Sequence, residues 1–164
     1  MSKIKIVNSR LSEFPGVNNI CHPCIVSNDF ADHPLSNLIK IKFPQALAAH
    51  RKFMIDNEVN GSMLALGDFS SAEIGGLGTI YNIYCKTKYQ LTCAPLGDFR
   101  RLSYDSFYES LLCVRNSICR KKKLNHQVVG FPLFEDCDCP NIIHSIAKHV
   151  FSSRSIETIF FRYF

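Results

Sequence analysis

No run of apolar residues in this chain approaches the roughly 20 needed to cross a bilayer. A helical membrane span is therefore excluded, and no membrane partner is expected. The start, Met1-Ser2-Lys3-Ile4-Lys5-Ile6, lacks the apolar core and small-residue cleavage site of a secretory signal. That start points to a cytoplasmic protein. Linkers, internal repeats and low-complexity tracts are missing too, so residues 1–164 read as a single domain. Excess charge is small: 19 Lys and Arg against 14 Asp and Glu leave a net +5. Four of those cations form the run Arg120-Lys121-Lys122-Lys123. Nucleic-acid binding needs a broader basic face, so the run reads as a solvated loop after a helix, where cations suit the C-terminal dipole. No nucleic-acid partner is expected.

Glycine is sparse where a phosphate loop would need it. None occurs between Gly16 and Gly61, and backbone amides approach phosphates closely where glycines permit it. Gly75-Gly76-Leu77-Gly78 leads from a loop into a strand, not from a strand into a helix, so it reads as a turn. What is present is ordinary for a folded domain: 164 residues, 46% hydrophobic and 20% charged. This excludes a disordered chain and a coiled coil.

The eight cysteines are many for a chain without a secretory signal, where disulfides are not expected. Cys85, Cys93, Cys113 and Cys119 are scattered singly and read as small hydrophobes. Cys21-His22-Pro23-Cys24 and Cys137-Asp138-Cys139 are tighter groups. Zinc wants four N or S ligands in a tetrahedron, but Cys21 and His22 point to opposite faces of an extended strand. No metal and no cofactor is expected. Cys139 precedes a helix start that would lower its thiol pKa, while neighbouring carboxylates would raise it. His126, His144 and His149 read as surface or satisfied histidines.

Hydrophobic periodicity orders the elements. Alternation over residues 3–7 predicts a strand, and a turn follows at Phe14-Pro15-Gly16. Residues 18–26 form a strand that Pro23 is expected to end near Cys21 or His22. A polar loop spans 27–34 and a short helix 36–42. Pro44 suits a first helical position, and residues 45–56 carry Leu47, Ala48 and Met54 on one face. Strands are predicted at 63–69 and 78–85. The clearest helix is 104–119, with Tyr104, Phe107, Leu111, Leu112 and Ile118 in period and a capping box from Ser106 to Glu109. A strand at 127–132 follows. Pro140 opens a helix striped by Ile143, Ile146, Ala147, Val150 and Phe151, and 156–163 is the closing strand. Late alternation of strands and helices implies a largely parallel sheet, with ligands at the carboxyl ends of its strands. The loops 22–34 and 133–140 leave such ends.

In order and spacing, four stretches carry a resemblance. Ile20-Cys21-His22-Pro23-Cys24, Leu38-Ile39-Lys40-Ile41-Lys42-Phe43-Pro44, Ile80-Tyr81-Asn82-Ile83-Tyr84-Cys85-Lys86 and Val129-Gly130-Phe131-Pro132-Leu133-Phe134 together resemble the macro domain. The branch is similar to ADP-ribose-1''-phosphate phosphatase-like proteins of phages, viruses and fungi. The resemblance implies a three-layer α/β/α fold with a mixed six-stranded sheet. It implies binding of ADP-ribose or an ADP-ribose-derived nucleotide, with sequestration of an NAD-derived signal as one use. The alternatives are an inactive module that binds a protein partner, and a hydrolase acting on ADP-ribosyl phosphates or esters. A viral or phage source would place the protein in the host cytoplasm.

The same resemblance implies the site residues. Ser9 and Arg10 stand where the family usually has Gly-Asp, so Arg10 would answer a phosphate or stack on a base. Cys24, Asn28 and Asp32 would line the first ligand loop, and Phe134, Glu135, Asp136 and Cys137 the second. His22 and Asp29 are the candidate catalytic residues. Glu135, Asp136 and Asp138 add a local charge of −3. Unit charges 4 Å apart interact by about 4 kcal/mol at an effective dielectric of 20, which opposes the usual seating of a diphosphate there.

Overall fold

A computed structural model of the chain describes residues 5–25, 30, 34–59, 66–75, 78–90, 98–121, 126–133 and 139–164. Its strands are β1 (Ile6–Arg10), β2 (Asn19–Ile25), β3 (Phe69–Glu73), β4 (Thr79–Gln90), β5 (Asp98–Leu102), β6 (Val128–Pro132) and β7 (Glu157–Tyr163). Its helices are α1 (Pro34–Lys42), α2 (Pro44–Val59), α3 (Tyr104–Arg120) and α4 (Pro140–Ser152), with a 3-10 turn at Leu11–Glu13.

Six strands lie side by side in the order β1-β7-β6-β2-β4-β3. The pairs from β1 to β4 are parallel and β3 is antiparallel to β4, so the sheet is mixed. An unexpected seventh strand, β5, runs antiparallel along the second half of β4, with Lys86 opposite Leu102.

Side-chain alternation divides the core between two helical layers. Cys21, Tyr81, Ile83, Val129, Phe131 and Phe160 meet Phe107, Leu111 and Val114 of α3 and Ile143, Ala147 and Phe151 of α4. On the other face, Ile20, Cys24, Ile80, Tyr84 and Phe161 meet Ile39 of α1 and Ala46, Leu47 and Met54 of α2. This is the expected three-layer α/β/α arrangement.

Several boundaries differ from the sequence reading, each for a local reason. β1 begins at Ile6, and residues 1–4 lie outside the described set. β2 continues through Pro23, which is opposite Ile83 of β4. Its register with β6 covers only Asn19 and Ile20, so at Pro23 the strand is paired on one side and the missing N–H disturbs no ladder. Of the expected strand 63–69, residues 63–65 lie outside the described set, and β3 begins only at Phe69. Gly67, at φ +85°, turns the chain, and Gly67 N–H donates to the Tyr84 carbonyl. The inward residue of β3 is Ser70, which hydrophobic alternation does not mark. Ser103, not Ser106, caps α3: its hydroxyl accepts from the Ser106 N–H. Ala48 and Tyr104 lie exposed, while His50 and Ser110 take buried places on their helices. His144 is buried as well, with its ring centroid 4.3 Å from that of Phe160. Cys85 is buried as expected, but Cys113 and Cys119 are exposed. Lys121, expected in a solvated loop, donates to Thr79 Oγ1 at 2.7 Å and lies over the Tyr81 ring.

Candidate functional site

Parallel pairing puts the carboxyl ends of β1, β7, β6, β2 and β4 on one edge of the sheet. In open α/β sheets that edge is where ligands bind. The chain leaves it after Ile25 and returns at Pro34, then leaves after Pro132 and returns at Pro140. Asn28, Asp29 and Asp32 of the first excursion lie outside the described residues. So do Phe134, Glu135, Asp136 and Cys137 of the second. Arg10, His22 and Cys24 are described, and the structure separates them into two places.

His22 and Cys24 belong to a sealed polar network between the sheet and the layer of α1 and α2. His22 is fully buried. Its Nδ1 lies 3.0 Å from Asn82 Oδ1 and its Nε2 lies 2.8 Å from Ser36 Oγ on α1. The Asn82 amide donates from Nδ2 to the Ala46 carbonyl at 2.9 Å and to Ser70 Oγ at 3.1 Å. Ser70 Oγ meets Tyr84 OH at 2.7 Å, and Tyr84 OH meets His50 Nδ1 at 2.9 Å.

These contacts fix proton positions. Asn82 Oδ1 can only accept, so His22 Nδ1 carries the proton and its Nε2 accepts from the Ser36 hydroxyl. Phe30 is packed between the two histidines, with ring centroids 4.8 Å from His22 and 4.9 Å from His50. The network thus ties the end of β2 to α1, the two elements that flank the first loop. Cys24 Sγ lies 3.2 Å from His22 Nδ1. Burial pushes the Cys24 thiol well up, with the Cys85 thiol adding to the rise and Lys86 opposing it. Burial likewise raises the Tyr84 hydroxyl, although its bond to Ser70 acts the other way.

His50, Ser70, Asn82 and Tyr84 were missed in the sequence. The available signal was a polar residue, Asn82, at the centre of the otherwise apolar run Ile80–Cys85, where a buried polar group needs partners. Lys86 was also missed as a site residue. It stands at the edge beside the exit of β2, in register with Ile25, and is only 7% exposed. Such burial is unusual for a lysine.

Arg10 lies elsewhere on the same edge, at the end of β1. With Asn8, Glu13, Phe14 and Tyr163 it lines an open cleft of about 630 Å³, within the size range of small-molecule sites. Phe14 is held by an edge-on contact with Phe161 at 5.0 Å, and Asn8 Oδ1 accepts from Arg162 Nε at 2.6 Å. Cys21 and His22 fall on opposite faces of β2. Among the described residues, no three His, Cys, Asp or Glu side chains gather as metal ligands would. No helix among them is long and apolar enough to cross a membrane.

Comparison with solved structures gives the fold its counterparts. The chain matches a macrodomain protein from Streptomyces coelicolor with a TM-score of 0.76 and 15% identity, over 99% of this chain and 100% of that one. It matches the macrodomain of Mycobacterium tuberculosis DarG at 0.70 and 12% identity, over 98% of both chains. It also matches Thermosipho africanus DarTG in complex with ADP-ribose at 0.62 and 8% identity, over 88% of this chain and 38% of that one. No protein-family model and no curated protein matches the sequence. At these identities the likeness is one of fold, and the fold is that of a macrodomain.

Proposed function

We propose that this macrodomain fold binds ADP-ribose or an ADP-ribose-derived nucleotide along the carboxyl edge of its parallel strands. The observation that carries the reading is the Arg10 cleft. It holds the Arg10 guanidinium beside the aromatic side chains of Phe14 and Tyr163, and it lies on the edge from which both long loops emerge. The complex of the Thermosipho relative with ADP-ribose supports the ligand class. Arg10 would meet a base or a phosphate at one end. Lys86 would add positive charge beside the first loop, where Asn28 and Asp32 belong. Phe134, Glu135, Asp136 and Cys137 of the second loop would narrow the space for a diphosphate and favour a modified ligand, an NAD-derived signal of the kind a phage or viral relative would sequester.

Binding is favoured over turnover because His22 is closed in by Asn82, Ser36 and Phe30. A general base must reach the proton that it takes. A second reading, a module that binds a protein partner, is favoured by Leu38, Ile41 and Ile55, which lie 49%, 79% and 60% exposed on α1 and α2.

Calorimetric titration of the chain with ADP-ribose tests the proposal. Micromolar binding, weakened about tenfold by Arg10→Ala, is expected from the loss of one charged contact. No heat with ADP-ribose or with cyclic and modified derivatives would overturn the nucleotide reading and leave the protein-partner module.

A further inference from the structure

We propose that Phe30 is the positioning residue of the first ligand loop, an inference that rests on the nucleotide-binding reading. Phe30 is the one large apolar side chain in residues 27–33, between the end of β2 and the start of α1. It is buried, in the core cluster that also holds Ile39 of α1 and Ala46 and Leu47 of α2. Its ring meets His22 of β2 almost edge-on, at 86°, and His50 of α2 at a tilt of 42°. Both centroid distances, 4.8 and 4.9 Å, lie in the range of favourable ring pairs.

The slot that takes this ring is stiff. A hydrogen bond at a ring nitrogen restrains the plane of an imidazole, and His22 is bonded at both nitrogens, to Asn82 of β4 and to Ser36 of α1. His50 is bonded at Nδ1 to Tyr84 OH, and the Tyr84 ring is stacked on Phe53 at 4.9 Å. Phe30 therefore sits between two rings that β2, β4, α1 and α2 hold jointly. Asn28 and Asp32, the residues expected to line the loop, are each two positions from Phe30 along the chain. Two residues reach at most about 7 Å, so the buried ring limits where either can go. With its ring closed in by the two histidines, Phe30 acts through the loop and not on the ligand. It keeps the binding-competent arrangement populated, and affinity falls in proportion to that population.

The test is titration calorimetry of the whole chain with ADP-ribose, at a temperature well below the Tm of every variant compared. Phe30→Ala is expected to weaken binding about tenfold, the effect of cutting the competent population to about a tenth. Phe30→Leu keeps the apolar bulk without the ring contacts. It is expected to lower the Tm less than Phe30→Ala yet still weaken binding about threefold, and it carries the test if the alanine variant does not fold. Met54→Ala is the control, since Met54 is buried in the same cluster but on α2, away from the loop. It is expected to lower the Tm without moving the affinity. Parent-like affinity in either Phe30 variant would overturn the positioning role assigned to this ring. An equal loss of affinity in Met54→Ala would overturn it too, by making the effect one of general destabilisation. No binding by the parent chain would overturn the nucleotide reading and the positioning role with it.

Discussion

Replacing Asn82 by leucine removes the hub of the buried network while keeping the number of side-chain heavy atoms. Three partners lose their bond: His22 Nδ1–H at 3.0 Å, the Ala46 carbonyl at 2.9 Å and Ser70 Oγ at 3.1 Å. Asn82 and His22 are fully buried and Ser70 nearly so, so water cannot take its place. A buried group left without a partner costs about 1–3 kcal/mol. Ser70 Oγ keeps its bond to Tyr84 OH and His22 Nδ1 keeps Cys24 Sγ nearby, so the three losses are taken at the bottom of that range and sum to about 3 kcal/mol. That is a large share of the roughly 5–15 kcal/mol by which a domain is stable. For this size each kcal/mol shifts the Tm by about 2–4 °C, so a fall of about 10 °C is expected. The chain has no tryptophan, so unfolding in urea is followed by far-UV circular dichroism. A companion pair sharpens the test. His22→Leu with Asn82→Leu should cost at least about 1 kcal/mol less than the two single changes added together, because the second removes a group the first has already orphaned. Asn82→Leu within about 1 kcal/mol of the parent, with additive doubles, would refute the claim that these bonds hold the two layers in register.

Glycine positions separate strain from collision. At Gly78, φ is +118° and a Cβ would overlap the Asn18 carbonyl, so Gly78→Ala should cost about 3 kcal/mol or more; Gly16, at φ +89° with open space around it, should cost only about 1–2 kcal/mol in the same urea assay. Burial holds the His144 imidazole below its ordinary value of 6.5. The folded state therefore binds fewer protons than the unfolded one, and stability should be full above about pH 6.5 and fall as the pH drops through that value. A ring titration midpoint for His144 at or above 6.5 by NMR would contradict this. Native alkylation followed by peptide mapping should label Cys119 and Cys139 while sparing Cys21, Cys24 and Cys85, which are buried. For Cys21 and Cys24, desolvation and the neighbouring Cys85 also push the thiols well up. Rapid labelling of Cys24 would mean that the network opens.

The candidate site was only partly legible in the sequence. Arg10 and His22 stand out in the sequence, but nothing in the linear order shows that one lines an open cleft while the other is sealed. That difference comes from register. β1 sits at the edge of the sheet against β7, whereas β2 is central and covered by α1 and α2. Proline usually terminates a strand, a rule that fails at Pro23 because pairing with β6 has already ended there. Asn82 and His50 carry no motif. Each acquires meaning only from a partner dozens of residues away.

What the sequence determined by itself was the alternation of strands and helices, the parallel core of the sheet and the stripes of α3 and α4. These follow from periods of 2 and 3.6 residues, which are local properties of the chain. What only the tertiary structure decided was which polar residues lie inside. Ser36, His50, Ser70, Asn82 and Tyr84 are compatible with solvent when taken singly. They are buried together because strand register and helix docking bring every donor to an acceptor. The same docking put Arg10, Glu13, Phe14 and Tyr163 around one cleft from two ends of the chain, through the parallel pairing of β1 with β7.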